Sequence, residues 1–170
     1  MSLPPFTPRL IWSVLAAAAT GLAAGSFVLT AWLDLHPCHL CIFQRLLFML
    51  LLPLGLLAAW LAPRRAGAWI GLASLPFAIA GMATAAYQSW LQWQPPGSIS
   101  CMAGKPGLIE QLVEWLGQRL PDLFMATGFC EDAELYVLGL TLANWAFLAF
   151  ATWIVLAIRA LFQARQVDAD

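Results

Sequence analysis

"LDLHPCHLCIFQRLLFMLLLPLGLLAAWL", residues 33–61, runs from a polar turn through two cysteines three positions apart into a long apolar stretch. After Arg45 no acidic or basic residue occurs until Arg64. Residues 42–61, polar only at Gln44 and Arg45, therefore supply the roughly 20 positions with which a helix crosses about 30 Å of hydrocarbon. A helix is required, because lipid offers backbone amides no other hydrogen-bond partners. The Cys-x-x-Cys pair stands at the mouth of that span.

The same pattern recurs along the chain. Of 170 residues, 62% are hydrophobic and only 10% charged, far from the balance of a soluble domain. Charge is also absent from Leu10–Leu33, Ala66–Gly104 and Leu135–Ile158. Spans are expected at about 10–33, 42–61, 68–90 and 136–158, with Pro53 and Pro76 kinking the second and third. The apolar run of residues 10–33 is longer than the core of a signal peptide, so it is expected to remain as the first span. The expected fold is an all-α membrane protein, one membrane domain over residues 1–170 built as a four-helix transmembrane bundle.

Four spans put both termini on one side, with Arg9, Arg64, Arg65, Arg159 and Arg165. Between Gln92 and Leu135, two basic residues face six acidic ones. The positive-inside rule then makes the termini cytoplasmic and the loops at about 34–41 and 91–135 outward-facing. All four cysteines, Cys38, Cys41, Cys101 and Cys130, fall in the outward segments.

Four cysteines on an oxidising face suggest disulfides, although they allow three pairings and the sequence alone does not choose among them. A c-type haem is disfavoured because Ile42, not His, follows the Cys-x-x-Cys. A zinc site from Cys38, Cys41, His36 and His39 is disfavoured too. His39 lies between the cysteines, and thiolate metal sites are unusual in oxidising compartments. Both histidines are read as solvated loop residues. A Cys101–Cys130 bridge, closing about 30 residues, would contribute roughly 3.6 kcal/mol in the chain-entropy view and so has a structural use. A Cys38–Cys41 bridge closes almost nothing, and its use is exchange.

The surroundings favour redox chemistry. Pro37 suits a helix entry, which places Cys38–Cys41 in a first turn where the helix dipole favours a thiolate. Arg45 follows Cys41 by four residues, on the same face one turn deeper. An ionisable residue at that depth is a functional candidate, here to stabilise Cys41 and an anionic acceptor beside it. In the second loop, "QPPGSISCMAGKPG" around Cys101 reads as extended and mobile. "GLIEQLVEWLGQRL" reads as a short amphipathic helix that lies on the bilayer surface or packs against its own loop. "EDAE" after Cys130 reads as the acid-rich start of another helix.

Taken together, "PCHLCIFQR", "PDLFMATGFC" and "VLGLTLANW" resemble the DsbB family of bacterial disulfide-forming membrane proteins. The resemblance covers essentially the whole chain. It implies a multi-pass protein of the bacterial inner membrane with periplasmic redox loops. It further implies a DsbA-like, thioredoxin-fold periplasmic partner and the membrane quinone pool, ubiquinone or menaquinone; that route is the general one for the bacterial periplasm. On this reading the partner's dithiol attacks a Cys101–Cys130 disulfide at Cys101. Cys130 then attacks Cys38, and Cys41 leaves as a thiolate beside a quinone held near Arg45 and Gln44. No metal and no nucleic-acid partner is expected.

Two departures stand out. Family members often carry a carboxylate where this chain has Gln44, and some carry a histidine near the outer end of the third span, where this chain has about Ser89. Tyr87, Trp90 and Trp93 nearby read as an interfacial aromatic belt. The alternatives are a vitamin K epoxide reductase-like protein, whose loop cysteines precede the Cys-x-x-Cys rather than follow it, and a non-catalytic stapled or metal-handling membrane protein.

Overall fold

Thr7 starts the first helix. Its hydroxyl accepts from the Leu10 amide at 3.4 Å, and Pro8 follows at a position where a missing N–H loses nothing. The computed structural model describes residues 7–62, 64–95, 107–133 and 135–167. In chain order these form α1 (Pro8–Trp32), α2 (His39–Trp60), α3 (Arg65–Gln92), α4 (Leu108–Arg119), α5 (Pro121–Phe124), β1 (Tyr136–Val137), β2 (Leu140–Thr141) and α6 (Leu142–Val167). Among the described residues, four helices are long and apolar enough to cross a membrane, so the chain is a multi-pass membrane protein. α2 and α3 run without interruption through Pro53 and Pro76.

The boundaries differ from expectation at the end that carries the cysteines. α2 begins at His39 rather than 42, because Cys38 caps it. The fourth span begins at Leu142 rather than 136. Leu138 and Gly139 both adopt positive φ, and the chain folds back into an antiparallel hairpin that pairs Tyr136 with Thr141. Apolar composition alone suggests helix there, and the turn conformation overrides it.

α1 packs on α2, α2 on α3 and α3 on α6, with α6 closing against α1. The seam is built from small residues set against aromatic ones, as lipid-embedded helices require. Phe48 stacks on Phe150 with centroids 4.2 Å apart, and Trp12 lies 6.4 Å from Trp153. Gly81 lies under the Phe150 ring, where a Cβ would overlap it. Trp153 Nε1 donates to Ser74 Oγ at 3.1 Å, which satisfies the indole N–H inside the bundle. Large apolar side chains such as Val155 (65% exposed) and Phe162 (61%) cover the outside, the arrangement expected when the solvent is lipid. Exposed tryptophans mark both ends of the bundle: Trp32 and Trp93 at the cysteine end, Trp60 and Trp69 at the other.

α4 uses one face for packing. Val113 is buried with Ile42 of α2 and with Phe124, while Leu108 is 86% exposed and Trp115 lies under the Arg119 guanidinium. The helix is thus held to the bundle, and an apolar edge stays open.

Candidate functional site

Pro37 ends the turn after α1, and Cys38 takes the capping position of α2 with extended backbone. Its sulfur does what a serine or asparagine oxygen does at other caps, accepting from the Cys41 amide at 3.4 Å. One helical turn then brings the Cys41 sulfur to 3.0 Å from that of Cys38. Cys38 is buried, whereas Cys41 keeps part of its surface on a cavity.

The second outer segment reaches the same point. The Thr127 and Gly128 amides both donate to the Pro37 carbonyl, at 2.9 and 3.3 Å. Gly128 passes so close to the His36 carbonyl that a Cβ would overlap the oxygen. Cys130 is thereby buried in one cluster with Cys38, Leu40 and Leu91, and hydrogen-bonds to Cys38. That bond, the bond to Cys41 and burial together hold the Cys38 thiol well above the usual range for cysteine. The expected helix at "EDAE" is replaced by a turn at Cys130–Glu131, closed by the Asp132 amide donating to the Phe129 carbonyl. Cys101 and the segment around it lie outside the described residues.

Arg45 does not snorkel. It is 6% exposed, and its guanidinium donates to the Leu123 carbonyl (3.3 Å), the Ser26 carbonyl (3.3 Å) and Thr30 Oγ1 (2.8 Å). It also lies 4.2 Å from the centre of the Phe27 ring. One cation therefore ties α1, α2 and α5 together one turn below Cys41. Its buried Nε has no partner among the described residues.

Gln44 donates through Nε2 to Gln88 Oε1 at 2.9 Å, and Gln88 donates in turn to the sulfurs of Cys41 (3.0 Å) and Cys38 (3.4 Å). Sequence reasoning passed over Gln88 for its neighbour Ser89, whose hydroxyl turns back to the Ala85 carbonyl at 2.9 Å. The available signal was an amide inside a charge-free span, a costly group to bury without a task. Tyr87 and Trp90 stack on each other, both roughly half exposed, and neither borders the cavity. His39 is not solvated: it is 7% exposed, and its Nε2 lies 4.0 Å from Glu114 of α4. Of the two histidines, only His36 is exposed.

These groups border a cavity of about 240 Å³ between α1, α2, α3 and α6. Cys41, Gln44, Arg45 and Gln88 form its polar side, and Leu29, Phe48 and Trp145 part of its apolar wall. An apolar pocket with a few convergent polar groups is the usual form of a small-molecule site.

The family described as Disulfide bond formation protein DsbB matches residues 8–160. The chain is 39% identical over 150 residues to Disulfide bond formation protein B of Dechloromonas aromatica (strain RCB), covering 88% of this chain and 90% of the relative. It is 37% identical over 148 residues to the protein of that name from Verminephrobacter eiseniae (strain EF01-2), covering 85% and 81%. With that of Azoarcus sp. (strain BH72) it shares 36% identity over 166 residues, covering 97% and 98%.

Proposed function

Because the chain belongs to the DsbB family of disulfide bond formation proteins, which are membrane oxidoreductases, we propose that it reoxidises a DsbA-like periplasmic dithiol and delivers the electrons to a membrane quinone. In this reading the cysteine end of the bundle is periplasmic and both termini are cytoplasmic, in the inner membrane of a bacterium. The exposed edge of α4 then rests at the bilayer surface.

The contact between Cys130 and Cys38 carries the proposal. A dithiol partner attacks a Cys101–Cys130 disulfide at Cys101, forming a mixed disulfide and freeing Cys130 as a thiolate. That thiolate attacks Cys38 of an oxidised Cys38–Cys41 pair. The Cys38–Cys130 bond forms, the Cys38–Cys41 bond breaks, and its electron pair stays on Cys41. The partner's second thiol then resolves the mixed disulfide and leaves oxidised, with its two electrons now in the protein's own sulfurs. The site supports this direction of attack. Cys38, whose thiol is pushed up by its hydrogen bonds and burial, is the poorer leaving group, so expelling Cys41 is favoured. Both cysteines border the cavity, and Cys41 is the less buried of the two.

The cavity fits a single substituted ring. A protein cavity of about 150 Å³ already holds benzene, and this one is larger, about 240 Å³. The unpartnered Arg45 Nε suits a carbonyl oxygen as acceptor. Arg45 and Gln44 would hold the ring, and a quinone bound there would supply an electron acceptor stronger than a DsbA-type partner at about −120 mV. The residues themselves orient Cys41 and hold a compensating positive charge one turn away.

The test is quinone reduction by the purified protein, with a reduced thioredoxin-fold protein as electron source. Turnover that disappears in Cys41→Ser, while the variant stays folded in the membrane, is the expected result. No turnover with either ubiquinone or menaquinone in the parent protein rejects the proposal.

A further inference from the structure

We propose that Gln88 is a catalytic residue whose side-chain amide holds the Cys41 sulfur as a thiolate, with Gln44 as the positioning residue that aims that amide. The inference rests on the reading of Cys41 as the sulfur left behind by exchange.

Gln88 is 2% exposed within α3, where an amide lacking partners is heavily penalised. Its bonding capacity is instead divided with little left over. The carbonyl oxygen accepts from Gln44 at 2.9 Å, and the amide nitrogen faces Cys41 at 3.0 Å and Cys38 at 3.4 Å. An amide has two N–H groups, and here there are two sulfurs to receive them. The Gln44 donor fixes which end of Gln88 points at the sulfurs, since a rotated amide would set N–H against N–H. Gln44 itself comes from α2, three residues past Cys41, so the pair spans α2 and α3 directly beneath the Cys-x-x-Cys.

A hydrogen bond to an ionised acceptor is about twice as strong as one between neutral groups. The Gln88 amide therefore gains little from the neutral disulfide and much from the state in which the Cys38–Cys41 bond has broken and its electron pair rests on Cys41. Such differential stabilisation accelerates a step. Arg45 supplies positive charge from below, but its terminal guanidinium nitrogens are engaged with Leu123, Ser26 and Thr30. Among the described residues, Gln88 is the side chain whose amide donates directly to the Cys41 sulfur.

A structural role as interhelical glue would also explain the Gln44–Gln88 bond, and the experiment separates the two. The reduced full-length protein, without quinone or partner, is pulsed with iodoacetamide, and Cys41 labelling is followed by peptide mass spectrometry in parent and Gln88→Met. At a pH where Cys41 is mostly protonated, losing the donor should lower the thiolate population about ten-fold. Since a less stabilised thiolate is intrinsically more nucleophilic, the observed rate should fall about three-fold. Gln88→Asn, which withdraws the amide by one methylene, should act in the same direction and replaces Gln88→Met if that variant does not fold. Gln44→Met should produce a smaller fall. Unchanged Cys41 labelling in folded Gln88→Met or Gln88→Asn overturns the proposal, and unchanged labelling in Gln44→Met overturns the positioning role. Because the assay contains neither quinone nor partner, its outcome is independent of whether the parent reduces quinone.

Discussion

The Cys130 thiol is hydrogen-bonded to Cys38, and both sulfurs are buried where the second outer segment crosses the cap of α2. The same bond restrains Cys38, because it favours the protonated thiol. In reduced protein Cys38 should stay a thiol to higher pH than an ordinary cysteine and lose that resistance only as pH rises further. Cys130→Ala should therefore move the pH profile of Cys38 alkylation toward lower pH. A profile that does not move would show that the bond has no influence on Cys38.

Gly128 has no space for a side chain under the His36 carbonyl. Gly128→Ala should push the second segment off Pro37 and carry Cys130 away from Cys38. A displacement of this kind lowers a proximity-driven rate by about a hundred-fold. Stopped-flow measurement of Cys38–Cys130 bond formation reads the loss.

Arg45→Met should slow quinone reduction by about ten- to a hundred-fold, the range expected when charged hydrogen bonds are lost. Exchange of thiols with the partner should change far less. Arg45→Lys should recover only part of the activity, since one ammonium cannot reproduce a planar donor that reaches Leu123, Ser26 and Thr30 together. Equal quinone kinetics in Arg45→Met and parent would remove Arg45 from the site.

Ser74→Ala strands the Trp153 indole N–H inside the bundle. The expected loss is about 1–3 kcal/mol, visible as a lower thermal unfolding midpoint in detergent. Cys41 labelling should stay as in the parent, because Ser74 is far along α3 from Gln88.

Much of this architecture was legible in the sequence because its signals are local. Four charge-free stretches announced four helices, and the Arg45 spacing from Cys41 placed the cation one turn below the sulfur. Tertiary structure decided the remainder. Gln88 gained its role only when α3 was set against α2, and a lone glutamine among apolar residues does not reveal which sulfur it will meet. His39 looked solvated because it falls in the turn between two spans, yet it is buried with its ring near Glu114 of α4. The hairpin at Tyr136–Thr141 was hidden by its own apolar composition, since Leu138 at positive φ has no sequence signature.

Two amides gripping the single Pro37 carbonyl have a kinetic corollary. They hold Cys130 beside Cys38, and in the proposed exchange well-oriented groups of that sort behave as though present at effective molarities of roughly 10⁵ M or more. Small thiols dissolved at millimolar levels cannot compete with such a neighbour for Cys38. Entry of electrons from free small thiols is thus suppressed by geometry, with no dedicated barrier needed.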